Sequence, residues 1–204
     1  MNLGVKALLS WVNNLKLSER EMTVDDLQDG TVLLKVVYML KKEPNSCVSN
    51  TMEDRFQLIA DFLERDCRFN AAKGTSLSWD NIKDGIHLTV EIAKVLLLLV
   101  YHDIMNDRCT LNMMESNSEL EIANLTGSYV MESDGCVYLN KRLDAYLERR
   151  HMSVYRETFE RSATASSSNV STMSSLSDDD SPVFHRRQKV SFMDMQTVAS
   201  PLTR

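Results

Sequence analysis

Leu27-Gln28-Asp29-Gly30-Thr31-Val32-Leu33-Leu34-Lys35-Val36-Val37 lies inside a run of helical periodicity. With Leu40, the residues Leu27, Val32, Leu33, Val36 and Val37 lay an apolar stripe along a helix expected over Asp25–Lys41. Glu43-Pro44-Asn45 ends it, because proline brings no backbone N–H and its ring clashes with the preceding turn. Upstream, Val5, Leu8, Trp11, Val12 and Leu15 share one face of a helix over Asn2–Lys16, and Ser18–Glu21 is a polar connection.

Downstream, Phe56, Ile59, Ala60 and Leu63 recur at three and four residues, which predicts a helix over Thr51–Cys67 with Asn50 and Glu53 as its capping pair. Phe69–Ser78, carrying Gly74, is expected as a loop, and Trp79–Lys83 as a short helical turn before Gly85. His87–Asn106 is the most apolar helix; its Val95–Val100 stretch has no polar face, so neighbours must cover it on nearly all sides. A helix over Leu111–Glu132 carries two stripes: Leu111, Met114, Ile122, Leu125 and Tyr129 on one side, Met113, Leu120 and Met131 on the other. Ser133-Asp134-Gly135 ends it, and Val137–Arg150 supplies a last helix with Leu139, Leu143, Tyr146 and Leu147 apolar. The fold class expected is therefore all-α.

Composition agrees with one helical domain over 1–151 and a tail over 152–204. The chain has 204 residues, 43% hydrophobic, with only three prolines and six glycines, which favours long helices over turn-rich β structure. Residues 1–150 hold 17 Lys/Arg against 23 Asp/Glu, whereas the tail is neutral. An acidic domain is repelled by nucleic acid, by anionic membranes and by acidic filament faces, which argues against each as a partner; nucleic-acid binding and membrane insertion are not expected. Cys47, Cys67, Cys109 and Cys136 form no C-x-x-C pair and are expected as reduced thiols. The longest apolar run, Val95–Tyr101, falls far short of the ~20 residues that span a bilayer, and no signal peptide is read at the N-terminus. A soluble intracellular protein, monomeric for want of a sustained heptad pattern, is the expectation.

Enzyme chemistry finds no footing in the sequence. Phosphate-binding glycine loops, a nucleophile elbow and an H-E-x-x-H helix are all missing from it. His87 and His102 stand near opposite ends of the apolar helix, and the neighbours Tyr101, His102 and Asp103 point in different directions on a helix. No catalytic residue, cofactor or metal is assigned. In the tail, eleven of the twenty residues from Ser162 to Ser181 are Ser or Thr and none is aromatic, a composition that cannot offset chain entropy and is expected to be disordered. Ser177 precedes three aspartates, Ser181 and Ser200 precede prolines, and Ser191 follows Arg186-Arg187-Gln188-Lys189-Val190; these four are candidate phosphorylation sites.

The Leu27–Val37 stretch resembles the L-x-D-G-x-x-L-x-x-[LV]-[LV] helix of calponin-homology domains. Leu8-Leu9-Ser10-Trp11-Val12-Asn13 resembles the opening helix of that fold, and Asn81-Ile82-Lys83-Asp84-Gly85 with Val95–Val100 its later N-I-x-D-G turn and central helix. Ala7–Asn13 and Leu97-Leu98-Leu99-Val100-Tyr101-His102 are similar to the Hook variant found at the N-termini of nuclear mitotic apparatus proteins. Phe192–Ser200 resembles the segment that precedes the long coiled coil of that family, and residues 43–80 depart from the pattern. The resemblance implies a calponin-homology-like bundle with extra C-terminal helices that binds a helix of the dynein light intermediate chain. It also implies a longer protein dimerised by its coiled coil, at spindle poles and cell cortex in mitosis and in the nucleus in interphase. Met113, Leu120 and Met131 are the candidate groove wall for such a helix, methionine being an adaptable contact residue. Two other readings are a microtubule- or actin-binding calponin-homology module and a structural cap for a coiled coil.

Overall fold

The computed structural model describes residues 1–43, 51–106 and 110–149, except the side chains of Asn112 and Met113. The tail, its boundary at 151 and the candidate serines Ser177, Ser181, Ser191 and Ser200 lie outside the described residues.

Helix α1 (Leu3–Asn14) starts at Asn2, whose side-chain oxygen accepts from the Gly4 N–H at 2.8 Å. The Asn2 amide donates to the carbonyls of Tyr146 and Arg149, both at 2.9 Å, so one side chain caps α1 and fastens the far end of the domain to it. The expected second helix is divided. Asp25–Leu27 is a single 3-10 turn, and α2 (Thr31–Lys41) begins only after Gly30. Gly30 holds φ +76°, a left-handed conformation that interrupts a helix and that glycine adopts without strain. The Asp29 carboxylate then accepts from the Thr31 N–H at 2.9 Å, starting α2 afresh.

Helix α3 (Met52–Arg65) is capped by Thr51 and Asp54, not by Asn50 and Glu53: each side chain of the pair bonds the other's backbone N–H. Its buried face is Phe56, Ile59, Phe62 and Leu63. Helix α4 (Trp79–Asp84) is the expected short turn, started by Ser78. Helix α5 (Leu88–Met105) is the axis of the core, with every residue from Val90 to Val100 buried. The burial required by its missing polar face is met by α1, α2, α4, α6 and α7.

The all-α expectation fails at three short segments. Phe69–Gly74, expected as loop, is strand β1; the helix expected to run to Glu132 stops at Tyr129 and continues as β2 (Val130–Ser133); the start of the expected last helix is β3 (Cys136–Leu139). β3 lies in the middle, parallel to β1 and antiparallel to β2. Asp134 and Gly135, at φ 55° and 72°, form the two-residue turn that joins β2 to β3. The molecule is thus a predominantly helical domain with a three-stranded sheet against one side.

The expected Leu111–Glu132 helix also breaks at its start, into a 3-10 turn (Thr110–Met113) and α6 (Ser116–Tyr129). Its first stripe is internal: Ile122, Leu125 and Tyr129 are buried, and Leu111 and Met114 pack against the core. Helix α7 (Leu143–Glu148) closes that side, stacking Tyr146 on Tyr129 with ring centroids 5.1 Å apart and donating its hydroxyl to Glu121 at 2.7 Å. Burial, then the adjacent Glu121, pushes the Tyr146 phenol above its ordinary 10.0. A phenol raised on folding contributes stability that is complete below pH 10.0 and is lost as pH rises towards its folded value. Urea unfolding followed at increasing pH should therefore show stability falling above that point, with a shallower fall in Tyr146→Phe.

Candidate functional site

An open groove of about 540 Å³ lies where the C-terminal end of α5, α6 and β2 meet. Tyr101, Ile104 and Met105 of α5 form one wall, and Leu111 on the 3-10 turn extends it. Glu119, Ala123, Thr126 and Gly127 present one face of α6, and Val130 and Glu132 of β2 close the far end.

The placing of these residues follows from contacts behind them. Trp11, fully buried in α1, donates its indole N–H to the Thr110 hydroxyl at 2.9 Å, and that hydroxyl bonds the buried Asp103 of α5. This pins the turn that carries Leu111 between α1 and α5. On α6, Ile122, Leu125 and Tyr129 face the core, so the positions 119, 123, 126 and 127 come round to the groove at helical spacing. The Thr126 hydroxyl is folded back on the carbonyls of Ile122 and Ala123, each at 3.0 Å, so it demands no outside partner. Strand alternation turns Val130 and Glu132 to one face of β2 and Met131 to the other.

Two features give the groove its character. Met105 stands 59% exposed although it is large and apolar. Gly127 sits inside α6, where a glycine costs about 1 kcal/mol against alanine, yet a Cβ added there would meet nothing within 4 Å. Neither positive φ nor internal packing accounts for it. At the rim, the Tyr101 hydroxyl donates to Glu132 at 2.5 Å, and burial followed by this carboxylate pushes the Tyr101 phenol above its ordinary range. Glu132 is thereby held in one orientation.

The candidate wall residues fall elsewhere. Leu120 is on α6, 61% exposed, beside the groove face and next to Gly127 on the helical wheel. Met131 is on β2 and not on a helix; it pairs across the sheet with Tyr138 and faces away from Val130 and Glu132. Met113 ends the 3-10 turn, and its side chain is outside the described residues. Leu139, Leu143 and Tyr146 are buried, and Tyr146 packs on Tyr129 and donates to Glu121. Reading the sequence passed over Ala123, Gly127 and the α5 wall, since small residues leave no mark in an apolar pattern.

Residues 2–150 match the family described as the NuMA N-terminal hook domain. The chain belongs to that family. The Hook domain seen here is mostly helical, and its helices α6 and α7 extend the bundle beyond α5, with β2 and β3 inserted between them. Among the described residues, no helix is long and apolar enough to cross a membrane, and no group of three or more His, Cys, Asp and Glu side chains could hold a metal. His87 begins α5 with its Nδ1 4.0 Å from Glu148, and His102 lies edge-on to Phe62 at the other end. Cys67 and Cys136 are free thiols, the first pushed up in pKa by burial and by Asp66.

Proposed function

We propose that this Hook domain is a non-enzymatic dynein-adaptor module, whose α5–α6–β2 groove receives an amphipathic helix of the dynein light intermediate chain. The supporting observation is the groove's open floor at Ala123 and Gly127. A glycine with no internal reason, between an exposed methionine and an exposed leucine, leaves room for a partner's bulky side chain at the helix backbone. The partner is what the family resemblance implies, that of an adaptor domain linking the spindle apparatus to the motor. The calponin-homology character of the core, the location at spindle poles and cortex, and dimerisation through a downstream coiled coil belong to the same reading.

Isothermal titration of the 204-residue chain with a synthetic light intermediate chain helix tests it. Saturable micromolar binding is expected. Gly127→Met should fill the groove and weaken binding more than tenfold, while unfolding stability holds or rises by up to about 1 kcal/mol because a helical glycine has been removed. Leu120→Asp should abolish binding with the helical circular dichroism unchanged. Undiminished binding by Gly127→Met would sink this placement of the partner.

A further inference from the structure

We infer that the groove selects its partner by charge, with Glu119 and Glu132 forming an acidic clamp on a three-turn amphipathic helix that runs antiparallel to α6 and carries Lys or Arg in its last turn. The inference rests on the reading of this groove as a helix site.

Glu119 and Tyr129, the last residue of α6, lie ten residues apart, and the helix advances about 15 Å over that length, close to three turns of a partner helix. Glu119 therefore stands at one end of the groove floor and Glu132, just past Val130, at the other. The two carboxylates differ in freedom. Glu132 is on a strand and is oriented by the Tyr101 hydroxyl at 2.5 Å, which suits it to accept from the exposed N–H groups of a helix N-terminus, where geometry is demanding. Glu119 is exposed on the first turns of α6 and suits a long, mobile cation. A helix C-terminus brings carbonyl dipoles that a bare carboxylate repels, so the occupant's last turn needs that cation. Its N-terminus at Glu132 and its C-terminus at Glu119 set it antiparallel to α6, which also opposes the two helix dipoles favourably. A second copy of this chain is a poor occupant, because residues 1–150 carry 23 acidic against 17 basic side chains.

The test uses the 204-residue chain and two labelled helical peptides of about 12 residues. They share one apolar face, with leucines spaced at i, i+3, i+4 and i+7, and differ only in Lys or Glu in the last turn. Anisotropy titration should show the Lys peptide binding about tenfold more tightly, with the gap closing as salt is added. Glu119→Lys should reverse the preference, and circular dichroism should confirm that this surface variant is folded. Glu132→Gln should weaken both peptides alike, and Tyr101→Phe should do so to a smaller degree, as expected of a positioning residue. Equal affinity for the two peptides, or a Glu119→Lys change that shifts both equally, would overturn the clamp while leaving the groove as a helix site. Failure of both peptides to bind would overturn the clamp and the helix-site reading together.

Discussion

Lys94→Met should lower the unfolding free energy by about 3–5 kcal/mol, the range seen when one member of a buried ion pair is removed. Lys94 is 2% exposed in the middle of α5. Its ammonium donates to Glu91 at 2.8 Å and to the Ser76 carbonyl at 2.7 Å, and lies 3.4 Å from the Asp144 carboxylate. Glu91 in turn accepts from the Ser78 N–H at 3.0 Å, and Asp144 from the Thr75 hydroxyl at 2.5 Å. One buried cation thus holds three parts together: α5, the segment joining β1 to α4, and α7. Methionine keeps much of the volume but leaves two carboxylates without their cation, and the penalty comes chiefly from that. The double variant Lys94→Met/Glu91→Gln separates the causes, since glutamine keeps an acceptor for Ser78 and removes a charge. Urea denaturation should find it more stable than Lys94→Met by about 1–2 kcal/mol. Equal stability of the two would mean that packing, not uncompensated charge, sets the loss.

Gly74→Ala should cost about 2–4 kcal/mol, through strain at a left-handed backbone position and a collision that cannot be relieved by a rotamer change. Gly74 ends β1 at φ +78°, and an added Cβ would lie 1.9 Å from the Leu139 carbonyl oxygen. That oxygen belongs to the backbone of β3 and already accepts from the Thr75 N–H at 2.9 Å. The strand pair must separate to admit the methyl group. Because Thr75 and Ser76 follow immediately, the disturbance also reaches the Lys94 network. The expected signature in hydrogen exchange is faster exchange at the Thr75 and Val137 amides, with the interior of α5 protected as before. Protection retained at both amides would show that the sheet accommodates a side chain there.

The two variants mark the boundary of what could be read from the sequence. Helices α1, α2, α3 and α5 announce themselves because each buries one stripe, or in α5 the whole surface, against neighbours; the pattern is local and repeats over at least eleven residues. The resemblance of Ala7–Asn13 and Leu97–His102 to Hook domains needed nothing more, and it holds in the family match over residues 2–150. Asp25–Lys41 reads as one helix because the apolar stripe continues on both sides of Gly30, although the glycine itself is the sign of the break.

The sheet was hidden for a different reason. Its strands are six, four and four residues long, too short for a period of two to stand out, and β1 pairs with β3 some seventy positions away. Leu139, Leu143, Tyr146 and Leu147 imitate helical spacing across what is a strand end and a separate helix. The Asp134-Gly135 pair, with Val130 and Glu132 before it and Val137 and Leu139 after, was the one local sign of a hairpin.

The sequence by itself determined the helical core, the acidic balance of the domain and the family, because periodicity, charge and motif are properties of neighbouring residues. The groove was decided only in three dimensions. Its walls come from α5, α6 and β2, and its floor is Ala123 and Gly127, residues that matter through the space they leave open. An unfilled volume has no sequence pattern; it exists only where separate elements are brought together and held apart at a fixed distance.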